Sequence, residues 1–579
     1  MTLPARLALA GFLVVAGLAS HAQLRPSQPE AATGWTPNKL AHARVHMVAT
    51  ANPHATDAGL RMLELGGSAI DAMIAAQLVL TLVEPQSSGL GGGAYLLHYD
   101  AKSKSIAAYD GRETAPAAAT PDLFMKDGRP LGYFEAAVGG RAVGTPGVPR
   151  LLEVAHARHG KLAWATLFRP AIELAEKGFP VSPRLNRLLA QDRELVREPA
   201  ARDYFYVEGR PRAVGTILRN PALAQTLRLL AEKGADAFYT GEIAADIVAA
   251  VRNHPKNPGK LSLEDLAGYR VRDVEALCGH YRKLHLCGMP PSSSGGIAVL
   301  QILALLEKQD LAALRPDSAQ AVHLFSEAGR LAYADRLRYV ADDHFVDVPV
   351  QGLLDAGYLA ARARAIAPEK SMGRAAPGTP PGLRVAFADD RHEEVSGTSQ
   401  VAIVDRWGNA VSLTTSVEGG FGAKQLVRGF LLNNQLTDFS FTPVEDGVAL
   451  ANRVAPGKRP RSAMAPFLVF DAASGALDMV IGSPGGSLII NYVAKTIVAA
   501  YDWNLDMQAA IDLPNRGSRN GPTEVEKGTE LEGTIAALKA MGHDARAIEM
   551  TSGLQGIRRT KAGWEGGADP RREGVARGR

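Results

Sequence analysis

The chain has only two cysteines among 579 residues. A pair of thiols cannot by itself build a zinc site. Charge of one sign is also lacking: 64 Lys and Arg stand against 60 Asp and Glu, a net of +4. No basic stripe stands out, which argues against nucleic acid or a membrane surface as the main partner. Past the first residues, no run of 18 apolar residues occurs, so no membrane-spanning helix is predicted there. With 46% hydrophobic and 21% charged residues, the composition also excludes a disordered chain.

What is present begins with a leader. Arg6 precedes the apolar run Leu7 to Ala19, and Ser20-His21-Ala22 puts small residues at the −3 and −1 positions of a cleavage site. Residues 1–22 therefore read as a secretory signal peptide, and the mature protein is expected to be periplasmic or secreted, with no membrane anchor. Cys278 and Cys287 lie in CGHYRKLHLC. A turn at Arg282-Lys283 would set them opposite each other for a disulfide, while a different register leaves two thiols.

The length predicts more than one domain. IDAMIAAQLVLTLVEP (Ile70 to Pro85) is apolar nearly all round and reads as a helix buried on every side. Segments 150–180, 221–252 and 316–340 carry helical periodicity, and YRKLHLCG reads as a strand before the helix GIAVLQILALLEK. Residues 367–397, rich in Pro, Gly and charge, read as an exposed, mobile linker. Sharply patterned β sequence follows at once.

That sequence, GTSQVAIVDRWGNAVSLTTS (Gly397 to Ser416), is a hairpin pattern. Arg406-Trp407-Gly408 suits a three-residue connection with Gly408 left-handed, pairing Asp405 with Asn409. Counting outward, Thr398 then faces Ser416. On spacing alone this is an ordinary cross-strand hydroxyl pair. A second reading makes Thr398 a nucleophile, which needs a base. If the chain is cut before Thr398, the freed α-amine supplies one, with a pKa of about 7.7 to 8.0.

Two further stretches favour the second reading. GSPGGS (Gly482 to Ser487) follows an apolar strand and precedes the helix LIINYVAKTIVAAY. Its consecutive glycine N–H groups suit an oxyanion, and the Gly-Lys-Ser/Thr ending of a phosphate loop is missing. Arg112, among small residues in YDGRETAPAAAT, suits a carboxylate, although a surface arginine is the plainer reading.

Eight stretches together resemble the gamma-glutamyltransferase (glutathione hydrolase) family of N-terminal-nucleophile hydrolases. They are VEPQSSGLGGGAYLLHYD, GRETAPAAAT, MPPSSSGG, GTSQVAIVDRWGNAVSLTTSVEGGFG, GFLLNNQLTDFS, PGKRPRSAMAP, GSPGGS and ADPRREGVARG, in the family's order along nearly the whole mature chain. The resemblance implies an α+β fold, a four-layer αββα sandwich of two mainly antiparallel sheets between helices. It implies a proenzyme cutting itself into residues 23–397 and 398–579, which stay together. By the same analogy Thr398 is the nucleophile and Ser416 its supporting hydroxyl, with Gly485 and Gly486 as the oxyanion hole. Arg112 and Ser462 would hold the substrate's α-carboxylate, and Gln435 and Asp438 its α-ammonium. The implied substrates are glutathione and related γ-glutamyl amides, with water or an amino acid or peptide as acyl acceptor, and no cofactor or metal.

Two positions depart from the pattern. Glu418 stands where many members have asparagine, and Ala463 where many have a second serine. Both point to an alternative, a cephalosporin-acylase-like amidase for glutaryl-type amides. A third reading, an uncut and inactive secreted binding protein, keeps the fold without the chemistry.

Overall fold

The structure is a computed structural model that describes residues 34–392, 394 and 397–579; the signal-peptide reading lies outside the described residues. Two seven-stranded sheets form its centre, every neighbouring pair within them antiparallel. One runs in the order 272–274, 105–111, 93–100, 410–416, 398–404, 47–50, 575–578. The other runs 41–43, 563–568, 555–560, 477–482, 467–471, 284–288, 277–281.

Side-chain alternation in the strand Thr398–Val404 stacks the layers. Val401 and Ile403 join a core with the helices Pro53–Glu64 and Ala69–Val83, whereas Ala402 and Val404 join Leu468, Phe470 and Val480 of the second sheet. On that sheet's far face lie the helices Gly295–Leu306, Ala319–Tyr339 and Ile489–Tyr501. This is a four-layer αββα sandwich, as the resemblance implied.

Local chemistry sets the key elements. The helix Ala69–Val83 is buried at every residue, and Ser68 and Asp71 form a reciprocal capping box at its start. Its first N–H, on Ala69, donates to the Asp405 carboxylate at 3.1 Å, and Asp405 also accepts from the N–H groups of Trp407 and Asn409. One aspartate thus pins both the hairpin loop and the helix beside it. Gly408 has φ +83°, the left-handed conformation that the loop demands.

The Cys278–Cys287 pair sits directly across the hairpin 277–288 and is a disulfide. The predicted helical segments form, broken by caps, as Val148–His159 with Trp164–Lys177, and Pro221–Lys233 with Gly241–Arg252.

The segment ahead of Thr398 differs from its expected exposure. Its described part holds neither helix nor strand, yet Ser371, Ala375, Phe387, Asp390 and Glu394 are buried. Asp390 accepts hydrogen bonds from Ser440 and from Arg461, and the Ala388 N–H donates to the Ala449 carbonyl. Proline, glycine and charge removed regular structure here without removing anchorage.

Candidate active site

Register places the hydroxyl pair. Thr398 lies opposite Ser416, and Thr398 Oγ1 donates to Ser416 Oγ at 3.3 Å. Ser416 Oγ in turn donates to the Gly397 carbonyl oxygen at 2.6 Å and accepts from the Glu418 N–H at 2.8 Å. The hydroxyl of Ser416 therefore bridges Thr398 to the carbonyl of the peptide bond just before it. Both side chains point between the sheets, on the face of Gln400, Ser412 and Thr414. Ser412 Oγ reaches across to the carbonyl of Ile481 in the second sheet, locking the hairpin against it. A Cβ at Gly397 would run into the carbonyl oxygen of Glu418, so glycine is the residue that fits before Thr398.

Across from the hairpin, the strand Leu477–Gly482 turns through Gly485 (φ +138°) and Gly486 (φ +56°) into a single 3-10 turn, and the helix begins at Ile489. Neither glycine conformation suits an L side chain. At Gly485 an added Cβ would also meet the Tyr492 ring at 2.5 Å. The turn thus presents backbone to a small cavity lined by Thr398, Ser416, Gly486, Arg112, Glu418, Gln435, Asp438, Ser462, Ala463 and Glu394, among others. Its free volume is about 20 Å³, which is room for roughly one water molecule. Ser462 is held by the loop after Met289: Ser294 N–H donates to the Ser462 carbonyl, and Ser293 Oγ to that of Met464.

At one end the cavity gathers opposite charges. Arg112, fully buried, donates from Nη2 to Asp438 Oδ2 at 2.5 Å and from Nε to the Pro460 carbonyl. Asp438 also accepts from Gln435 Nε2 at 2.9 Å. Burial raises the Asp438 carboxyl to about 6, against the pull of Arg112. Glu113 is raised to about 8 for the same reason, because Arg112 Nη1 at 3.8 Å offsets only part of its desolvation.

Glu418 adopts φ +78° and accepts from Asn434 Nδ2 at 2.7 Å and Tyr133 Oη at 2.9 Å. Burial, then the neighbouring Asp438, push its carboxyl well above the usual range. Among the described residues, several buried atoms of the lining have no hydrogen-bond partner: a donor on Arg112 Nη1, and acceptors on Asp438 Oδ1, Gln435 Oε1 and Glu418 Oε1.

Sequence reasoning singled out nine residues, and the fold brings eight to one cavity; the ninth, Gly485, supplies the turn before Gly486 without lining it. It missed Glu394, Arg336 and Arg461, which meet through pairings more than 50 residues apart in sequence. It also assigned no role to Arg572, whose Nη1 donates to the Thr398 carbonyl at 3.0 Å. The quoted ADPRREG motif contains that arginine.

Residues 55–578 match the family profile described as Gamma-glutamyltranspeptidase. The chain is 36% identical over 506 residues to the glutathione hydrolase proenzyme of Bacillus subtilis, covering 86% of this chain and 84% of that one. It is 34% identical to the acylase ACY 1 proenzyme of a Pseudomonas species, covering 88% and 89%. Among solved structures, a cephalosporin acylase from Bacillus halodurans superposes with a TM-score of 0.83 at 28% identity, over 95% of this chain and 99% of the other. The chain belongs to the gamma-glutamyltranspeptidase family, and is an enzyme of the hydrolase and transferase type.

Proposed function

We propose that the chain cuts itself between Gly397 and Thr398 and that the mature enzyme, residues 23–397 paired with 398–579, cleaves γ-glutamyl amides such as glutathione. In self-cleavage, Thr398 Oγ1 adds to the Gly397 carbonyl carbon while the Ser416 hydroxyl stabilises the oxygen that gains charge. The C–N bond breaks, the Thr398 nitrogen takes the proton released from the hydroxyl, and water hydrolyses the resulting ester. The observed hydrogen bonds from Thr398 to Ser416 to the Gly397 carbonyl support this reading. Ser416→Ala is expected to slow precursor processing roughly 10- to 100-fold, the loss of one strong hydrogen bond to a developing charge. A time course on a denaturing gel measures it.

In turnover, the freed α-amine accepts the Thr398 hydroxyl proton as Oγ1 attacks the γ-carbonyl. Backbone N–H groups at Gly485 and Gly486 face the tetrahedral oxyanion, and the amine proton passes to the leaving nitrogen. Water, or the amine of an amino acid or peptide, then attacks the γ-glutamyl ester and regenerates Thr398. A periplasmic or extracellular site follows from the leader in residues 1–22; among the described residues no helix is long and apolar enough to cross a membrane.

The observation that carries the acyl preference is the set of unpartnered atoms. A γ-glutamyl group ends in an α-carboxylate and an α-ammonium, which match the free donor on Arg112 and the free acceptors on Asp438, Gln435 and Glu418. A glutaryl group has the carboxylate alone and would leave those acceptors unmet. Glu418 and Ala463 favour the glutaryl-amidase reading as the alternative, and three of the relatives carry acylase names. Incubation with glutathione and with glutaryl-7-aminocephalosporanic acid separates the two: glutamate release is expected, and glutaryl release without it would reverse the assignment.

Asp438 adds a pH signature. Its folded carboxyl sits near 6, so it is ionised above that pH and neutral below it. Ammonium binding then weakens on acidification, and KM for a γ-glutamyl donor should rise about tenfold between pH 7 and pH 5. A KM that stays flat over this window would remove Asp438 from ammonium recognition.

A further inference from the structure

Arg336 and Arg461 are buried guanidiniums, each almost wholly shielded. Arg461 donates from Nε to Glu394 Oε1 at 3.1 Å and from Nη2 to Asp390 Oδ2 at 3.0 Å, while its Nη1 has no hydrogen-bond partner among the described residues. Arg336 donates from Nη2 to the same Glu394 oxygen and from Nε to Ser294 Oγ at 2.7 Å. Although burial alone would raise it, the two guanidiniums hold the Glu394 carboxyl below its usual range. Glu394 lines the cavity of Thr398.

The two acids differ in their tethers. Asp390 is fixed to the body of the fold by Ser440 Oγ and by its own N–H to the Leu337 carbonyl. Glu394 lies between that anchor and the scissile bond, three residues before Gly397, so scission gives it a free chain end. A cavity of about 20 Å³ admits no acyl donor until something leaves, and Glu394 is the lining side chain carried by the stretch that a cut after Gly397 would free. Its departure would strip Arg336 of its carboxylate and Arg461 of one of two. Buried guanidiniums without a counter-charge are strongly destabilising, so the vacated place calls for another anion. In the self-cleavage reading the Gly397 carbonyl stands where a donor's acyl carbonyl would, which puts the vacated place on the acyl side of the nucleophile.

We infer that Arg336 and Arg461 form a carboxylate subsite, separate in its residues from Arg112 and Ser462, which Glu394 fills in the uncut chain and a carboxylate of the acyl donor fills after scission. This rests on the self-cleavage reading above. Arg336 and Arg461 extend the grip on the donor's acidic end past the position where Ala463 lacks a hydroxyl.

Labelling by phenylglyoxal, which reacts with accessible arginine, followed by peptide mapping tests this in processed wild-type enzyme and in uncut Thr398→Ala protein. Arg336 and Arg461 should label at least about fivefold faster in the processed form, with protection by L-glutamate and none by glutaramide. Equal labelling in both forms, no labelling after processing, or no selective protection overturns the subsite.

A kinetic arm uses processed Arg461→Met enzyme. Its preference for γ-glutamyl-4-nitroanilide over the corresponding α-carboxamide should fall at least about tenfold, the range for losing a charged hydrogen bond. An unchanged preference also overturns the subsite. If Arg461→Met stays uncut, the labelling arm decides alone. A wild-type chain that stays whole on the gel instead sinks the self-cleavage reading beneath it, and a cut chain that releases nitroaniline from neither donor sinks the γ-glutamyl reading.

Discussion

Thr398→Ala is expected to accumulate as one uncut polypeptide and to lose γ-glutamyl hydrolysis by at least about 10⁴-fold, the scale set by removing a catalytic nucleophile elsewhere. Both losses share one cause. Alanine has no oxygen to add to the Gly397 carbonyl, so the chain stays whole, the α-amine is never freed, and Glu394 keeps its place in the cavity. Thr398→Ser separates the contributions. It keeps a hydroxyl within reach of Ser416 and would keep the amine after scission, so slower but complete processing with measurable turnover is expected. A gel with N-terminal sequencing of the small fragment, and glutamate release from glutathione, read the two outcomes. An alanine variant cut at residue 398 would refute the mechanism outright.

Gly485→Ala carries the second large effect. The residue sits at φ +138°, and the added methyl would lie 2.5 Å from the Tyr492 ring, a buried side chain with little freedom to yield. Backbone in that region costs a non-glycine residue about 1 to 3 kcal/mol. The turn can relieve this only by moving the Gly485 and Gly486 N–H groups off the position proposed for the oxyanion. Loss of one such donor typically lowers kcat about 10²- to 10³-fold. Thermal denaturation and steady-state kinetics would show a modest fall in Tm beside a much larger fall in kcat. A Tm loss with kcat unchanged would take this turn out of the chemistry.

Local rules gave much of this molecule away. Gly408 sets the hairpin register, and the register alone brings Thr398 and Ser416 together, with no long-range information needed. The almost wholly apolar stretch Ile70 to Val83 similarly announces a helix buried on all sides. The same composition logic missed the segment before Thr398. Proline and glycine report that regular structure is absent, but they say nothing of whether Asp390 and Glu394 meet buried arginines more than 50 residues away. Glu418 shows a further limit. Its identity was readable as a departure, whereas its elevated proton affinity arises from burial beside Asp438 in three dimensions.

The strand order bears on what a cut before Thr398 would leave behind. In the first sheet, 398–404 and 410–416 from the proposed small fragment lie between 93–100 and 47–50 of the large one, and 575–578 closes the edge beyond. In the second, four small-fragment strands from 467 to 568 are flanked by 284–288 on one side and 41–43 on the other. The halves are plaited together and do not merely abut. Pulling them apart would tear two ladders of main-chain pairing, so one covalent bond can be given up while the body stays whole.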